Sequence, residues 1–193
     1  MEQAFEYNKT FNKKNFKDSP LQPGEYENCT FSNCDFSNND FSGIKFIECV
    51  FSGSNLSLVK LTRTTFRDIR FSGCKMLGLV FDHCNDFGLS FSFDHCILKH
   101  SSFYRIKIKK TVFRNSQLQD ADFTECDLTS SVFDRCDLLK AKFEKTIIEK
   151  ADFTTSINYS IDLEINRHKK AKFSFSGIAG LLNKYDIEID RAS

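Results

Sequence analysis

The sequence predicts an all-β solenoid built from short sides and corners, and three observations carry the prediction. Large apolar residues recur at every fifth position, small side chains recur two positions before them, and the other three positions hold most of the Lys, Asp, Asn, Arg and Glu. A period of five matches neither the 3.6 of a helix nor the 2.0 of a continuous strand. It places one inward anchor on each short side. The small residue two positions earlier is a second inward position, because alternate residues of an extended segment face the same way.

The first run of anchors is Phe11, Phe16, Leu21, Tyr26, Phe31, Phe36, Phe41, Phe46, Phe51, Leu56, Leu61, Phe66, Phe71, Met76 and Phe81. The register then slips by two residues and resumes with Phe93, Leu98, Phe103, Ile108, Phe113, Leu118, Phe123, Leu128, Phe133, Leu138, Phe143, Ile148 and Phe153. Seventeen of the 22 Phe occupy these 28 positions in a chain that is 40% hydrophobic, so chance does not explain the run. The second inward position is filled by residues such as Cys29, Cys49, Ser54, Thr64, Cys96, Thr111, Ala121, Ser131 and Ala151.

This pattern divides the chain. Residues 1–15 read as a lead-in or N-terminal cap, 16–81 as a first β-helix segment and 93–175 as a second. Between them, residues 82–92 hold two more residues than two units need, which reads as a bulge or short loop. Asp86 and Gly88 fall where anchors are expected, with Phe87 and Phe91 beside them and Gly88 relaxing the backbone. Over residues 176–193 the period changes. Ile178, Leu181, Leu182 and Tyr185 fall at helical spacing with Ser174 or Ser176 as N-cap, and Ile187 and Ile189 then alternate with charge as a short strand would. A β-helix needs its open end covered, so this segment reads as a cap.

Composition excludes several functions. Net charge is +1, with 27 basic and 26 acidic residues, so no global field favours nucleic acid or an anionic membrane. No stretch approaches the roughly 20 apolar residues of a membrane span, and MEQAFEYNKTFNKK lacks the apolar core of a secretory signal. A cytoplasmic location is expected. Seven of the eight Cys sit two residues before an anchor, and Cys84 would too if the first register continued, so all read as buried free thiols. The two FDHC segments place His83 and His95 outward and Cys84 and Cys96 inward, and such neighbours on one wall cannot converge on a metal. The acids lie on flat walls with no pocket-forming loop, and no P-loop, GxGxxG or nucleophile elbow is present. Neither catalysis nor a metal, cofactor or small-molecule substrate is expected.

The units CDFSN, ADFTE, CDLTS, CDLLK, AKFEK and ADFTT resemble the pentapeptide-repeat family over roughly residues 16 to 175. The resemblance implies a right-handed quadrilateral parallel β-helix, a pentapeptide-repeat solenoid, with a short C-terminal helix-plus-strand module. Four units per coil at the strand spacing imply about eight coils and a rod near 40 Å long. Steps of 20 would stack Phe93, Phe113, Phe133, Phe153 and Phe173 in one ladder, and Phe103, Phe123, Phe143 and Leu163 in another. The C-terminal module, the central break and the N-terminal ENCTFSNCDF stretch are similar to the Qnr and MfpA members. That similarity implies a homodimer joined through Ile178, Leu181, Leu182, Tyr185, Ile187 and Ile189. It also implies a DNA mimic that binds a type II topoisomerase, DNA gyrase.

The charges depart from such a mimic. Duplex DNA carries a negative charge about every 1.7 Å of axis, whereas this chain pairs opposite charges 20 apart, as in Glu25/Lys45, Asp40/Lys60, Arg105/Glu125 and Arg114/Asp134. One acidic stretch, Asp120, Asp122, Glu125, Asp127, Asp134 and Asp137, is a candidate partner-binding patch. The basic band from Lys99 to Arg114 precedes it. The expected function is a non-catalytic protein–protein interaction rod. The alternatives are a gyrase-binding DNA mimic and, less favoured, nucleic-acid binding through the basic band.

Overall fold

The structure, a computed structural model, describes residues 4–185 and 187–190. Every strand pairing in it is parallel, and the chain advances 20 residues per coil wherever the register is undisturbed, as in Phe11↔Phe31↔Phe51. Four walls result. Wall one contains β1 (Ala4–Tyr7), β3 (Gly24–Glu27), β5 (Lys45–Ile47) and β7 (Thr65–Arg67). Wall two is a seven-stranded sheet of β2 (Thr10–Asn12), β4 (Thr30–Ser32), β6 (Val50–Ser52), β8 (Ile69–Ser72), β9 (Phe91–Asp94), β10 (Val112–Arg114) and β11 (Val132–Asp134). Walls three and four are held by single bridges, such as Asn15↔Asp35↔Asn55 and Ser102↔Asp122↔Lys142. The expected lead-in is therefore already coil, because β1 pairs with β3 and β2 with β4.

The five-residue period produces corners as well as sides. Two residues after an anchor the backbone turns through positive φ, as at Asn38, Arg105, Glu125 and Lys140. On walls three and four the anchor carbonyl then accepts a bond three residues on, for example from Asn39 N to Phe36 O at 2.9 Å, which closes a type II turn.

The core is aromatic. Phe31, Phe36, Phe41, Phe46, Phe51, Phe66, Phe71, Phe81, Phe93, Phe103, Phe113, Phe123, Phe133, Phe143 and Phe153 are all buried. On wall two, Phe11, Phe31, Phe51, Phe71, Phe93, Phe113, Phe133, Phe153 and Phe173 form one stacked column, with ring centroids 4.7 to 5.4 Å apart. Rings on adjacent walls meet edge to face, as Phe113 and Phe123 do at 84°, the arrangement that ring quadrupoles favour. The second inward position suits Ser, Thr and Cys for a specific reason. Several such side chains donate to an anchor carbonyl one coil earlier: Ser54 Oγ to Phe31 O at 3.1 Å, Thr64 Oγ1 to Phe41 O at 2.8 Å, Cys136 Sγ to Phe113 O at 3.4 Å. Buried polar atoms are tolerated when bonded in this way.

The register break is confined to wall one. Phe71 stacks directly on Phe93 at 5.3 Å, and β8 pairs with β9 through Ile69↔Phe91 and Phe71↔Phe93. Phe91 therefore takes the second inward position of wall two. Leu89 is buried, while Asp86, Phe87 and Gly88 lie outside, so Leu89 and not residue 86 or 88 fills the missing anchor space.

At the C-terminus a 3-10 turn (Phe175–Gly177), α1 (Ala179–Leu182) and a second 3-10 turn (Asn183–Tyr185) follow one another. Ser174 is the N-cap, accepting from Gly177 N. The strand expected at Ile187 and Ile189 does not form within the chain: residues 187–190 are irregular and exposed. A strand needs a partner edge, and the end of the coil is already occupied by α1. Among the described residues no helix is long and apolar enough to cross a membrane.

Candidate interaction surfaces

The six acids of the candidate patch do not share a face. Asp134 lies on wall two, Asp137 on wall three, Asp122 on wall four and Asp127 on wall one, with Asp120 and Glu125 at corners. The stretch from Asp120 to Asp137 runs through nearly one whole coil, so sequence neighbours become a belt. Half of the belt is also paired with bases of the coil before. Arg105 Nε reaches Glu125 at 2.7 Å, Arg114 Nε reaches Asp134 at 3.2 Å, and Lys109 Nζ reaches Asp127 at 3.2 Å. The Arg105 guanidinium holds the Glu125 carboxyl below the usual range. Burial opposes ionisation of Asp127, but the Thr129 hydroxyl and amide and the Lys109 ammonium outweigh it and keep its carboxyl low. Asp137 accepts from the side chains of Gln119 and Asn158.

The basic band is dispersed for the same reason. Lys99 follows the wall-three anchor Leu98, Lys107 precedes the wall-one position Ile108, and Arg105, Lys109 and Arg114 are spent on the acids below. Among the described residues these basic and acidic side chains are spread over different walls and do not line one of them continuously.

In the two FDHC segments the histidines and cysteines face apart. His83 and His95 are exposed, whereas Cys96 is buried behind the wall and Cys84 is half-buried. Among the described residues no group of three His, Cys, Asp or Glu side chains converges as metal ligands would. Burial pushes the Cys49 and Cys136 thiols up to about 12, so they stay protonated at neutral pH.

The break loop is the first surface that stands out. Phe87 is 74% exposed at its tip, with the Arg67 guanidinium over its ring at 5.9 Å and Gly88 at φ +71 beside it. Beneath the loop lies a cavity of about 450 Å³.

The second is the C-terminal end. The module docks on Tyr159: a Cβ at Gly180 would stand 2.1 Å from the Tyr159 carbonyl oxygen, and one at Gly177 would meet the Tyr159 hydroxyl at 1.9 Å. Ile161 N donates to Gly180 O at 3.0 Å, so the turn is bonded to the last coil. Lys184 bridges Asp162 and Glu164, both at 2.7 Å, and the Tyr185 hydroxyl donates to Glu164 at 2.8 Å. Of the six apolar residues expected at an interface, Leu181 packs against the core and Leu182 is half-buried; Ile178, Tyr185, Ile187 and Ile189 stay exposed. Phe175, which sequence periodicity passed over, is 92% exposed beside them. Its signal was a Phe two residues beyond the last anchor, in the place of a corner residue. Tyr159 was missed because it stands one residue past the expected anchor position.

The family model described as a pentapeptide repeat region matches residues 25–91 and 81–153. Comparison with curated protein sequences returns no match. Among solved structures the chain is similar to a trypsin-treated variant of QnrB1, a plasmid-mediated fluoroquinolone resistance protein, at 17% identity and TM-score 0.63 over 96% of this chain and 97% of that one. It is also similar to HetL, involved in heterocyst differentiation regulation in the cyanobacterium Nostoc sp. strain PCC 7120, at 14% identity and TM-score 0.59 over 89% of this chain and 88% of that one. At these identities the likeness is one of fold.

Proposed function

Because the chain belongs to the pentapeptide-repeat family, we propose that it is a non-catalytic protein-interaction rod that works as a two-fold dimer joined through its C-terminal module. The observation that supports this reading most is the distribution of apolar surface. Along the rod exposed apolar residues such as Leu58, Phe87 and Leu139 are scattered among paired charges, whereas Phe175, Ile178, Tyr185, Ile187 and Ile189 are concentrated within the last 19 residues. Apolar groups left out after a cap has formed are what a self-complementary two-fold contact buries. Light scattering at micromolar concentration tests it: a dimer mass is expected, and a monomer mass rejects the proposal.

The partner is a protein that reads shape and local charge pattern, since the belt and band leave no DNA-like potential. The Qnr likeness makes a type II topoisomerase the first partner to try. A supercoiling assay with purified DNA gyrase, with and without a quinolone, decides that point: unchanged activity at micromolar rod excludes gyrase. The buried thiols suit a reducing compartment, and we place the protein in the cytoplasm.

A further inference from the structure

We infer that the gap in wall one beneath the break loop is a docking site for an extended segment of a partner protein, added as one strand and carrying a basic side chain towards Asp82 and Asp86. The inference rests on the reading of the rod as an interaction module and names where and how a partner is held.

Wall one is hydrogen-bonded coil to coil from β1 to β7, and again from Lys107 onwards through Lys107↔Asp127↔Ile147↔Arg167. In the lower part the pattern is regular: Asp127 N donates to Ile106 O, Ile147 N to Cys126 O and Arg167 N to Thr146 O, at 2.9 to 3.0 Å. The equivalent donor one coil earlier is Lys107 N, and among the described residues it has no backbone partner. The carbonyls of Thr124 and Asp127 accept from Arg105 N and Ile108 N, both at 3.0 Å; their equivalents, Tyr104 O and Lys107 O, receive no backbone donor among the described residues. One donor and two acceptors in parallel-strand order thus face the cavity of about 450 Å³, with Asp82, Cys84 and Asp86 on its upper lip and Tyr104, Arg105 and Lys107 on its lower one.

The chain does not fill this gap because the loop is tied the other way. Asn85 N donates to Thr64 O at 2.8 Å and Ser90 N to Phe66 O at 3.0 Å, both towards the coil above, and Leu89 and Phe91 already occupy the core at this level. An unpaired strand edge is a template for strand addition. Its length is that of the other wall strands, three or four residues. Charge selects the occupant. Arg105 is held by Glu125, whereas Asp82 and Asp86 form no ion pair among the described residues, and the Asp82 Oδ1 atom is buried without a hydrogen-bond donor. With Arg105 engaged by Glu125, the lining sets Asp82 and Asp86 against Lys107 alone and stays net negative. The chain's own tail carries Glu188 and Asp190 against the single Arg191, so as a segment it is net negative and a poor match for this lip.

The test uses the full-length protein labelled for amide NMR and three capped pentapeptides: Thr-Val-Arg-Val-Thr, the same with Asp for Arg, and the first with its backbone N-methylated. In the free protein the Lys107 amide is expected to exchange faster than that of Asp127. Arg peptide at about ten times its Kd is expected to slow Lys107 exchange about tenfold, the factor that occupancy sets, and the other two peptides are expected to leave it unchanged. An Asp82→Asn, Asp86→Asn double variant, folded by its unchanged melting curve, is expected to bind the Arg peptide about tenfold more weakly. A Lys107 amide already as protected as Asp127, no slowing by the Arg peptide, or equal slowing by the N-methylated one overturns the inference. Dimer mass is measured on the same samples. A dimer with a silent groove removes only the groove, and a monomer removes the dimeric rod as well.

Discussion

The Phe133 ring lies between Phe113 at 4.8 Å and Phe153 at 4.7 Å, with Phe123 and Phe143 edge-on from the next wall. Backbones on either side are locked in ladders and cannot collapse into a void. Phe133→Ala is therefore expected to cost about 3–5 kcal/mol in denaturant unfolding, and an unchanged midpoint would show that the column does not bear on stability. The thiols provide a pH-dependent prediction. Burial raises Cys49 and Cys136 from an ordinary 9.0 to about 12, so the folded state keeps a proton that the unfolded chain releases. Their contribution to stability is then full below pH 9 and falls between pH 9 and about 12. Unfolding midpoints from pH 8 upwards are expected to drop less steeply in a Cys49→Ser, Cys136→Ser variant than in the parent. Ser fits these sites, since Ser156 Oγ makes the equivalent bond to Phe133 O at 2.7 Å. Parallel slopes would contradict the assignment.

Among the elements, the C-terminal module depends on two glycines more than on its apolar stripe. Gly180 has no room for a Cβ, because the obstructing atom is a backbone oxygen, that of Tyr159, which no rotamer change can move. Gly180→Ala is expected to lift α1 from the coil end, lowering stability by about 1–3 kcal/mol as overpacking does. Faster amide exchange at Ile161, whose N–H bonds Gly180 O, is the specific readout; exchange unchanged at Ile161 would place the strain elsewhere. Wall two, by contrast, tolerates the two-residue slip because all of it is spent on wall one. A break shared between walls would have offset Phe71 from Phe93 and interrupted the aromatic column.

For the whole molecule the governing feature is neutrality arranged vertically. Residues 20 apart meet on consecutive coils, and Lys45–Glu25, Lys60–Asp40, Arg114–Asp134 and Lys172–Asp152 bring opposite charges to 3.2–3.4 Å. Such exposed pairs add little stability, but they flatten the surface potential, so partner binding is expected to depend weakly on salt compared with a true DNA mimic. A steep loss of partner affinity between 50 and 200 mM salt, of the order seen for proteins with many phosphate contacts, would contradict that. Dimerisation is expected to rest on apolar contact. Ile178→Asp, at an exposed position of the module, should yield a monomer in light scattering while the β-helix circular dichroism persists; loss of the fold as well would mean that the module acts as a cap alone.

What the sequence by itself determined is everything that repeats. An inward anchor every five residues, a small partner two before it and charged residues between them define the core, because facing direction along an extended side is a local property of the backbone. The anchors from Phe31 to Phe153 could be named from spacing alone, and so could the 20-residue charge pairs. The tertiary structure decided what does not repeat. Leu89 and Phe91, not residue 86 or 88, fill the core at the slip, because the neighbouring coils dictate which side chains reach the axis. The acidic stretch became a belt, because position around a coil, and not nearness in sequence, sets which charges share a face. Only stacked coils could show that Lys107 has an unpaired edge above it, since a strand's hydrogen bonds belong to its neighbours and not to its own residues.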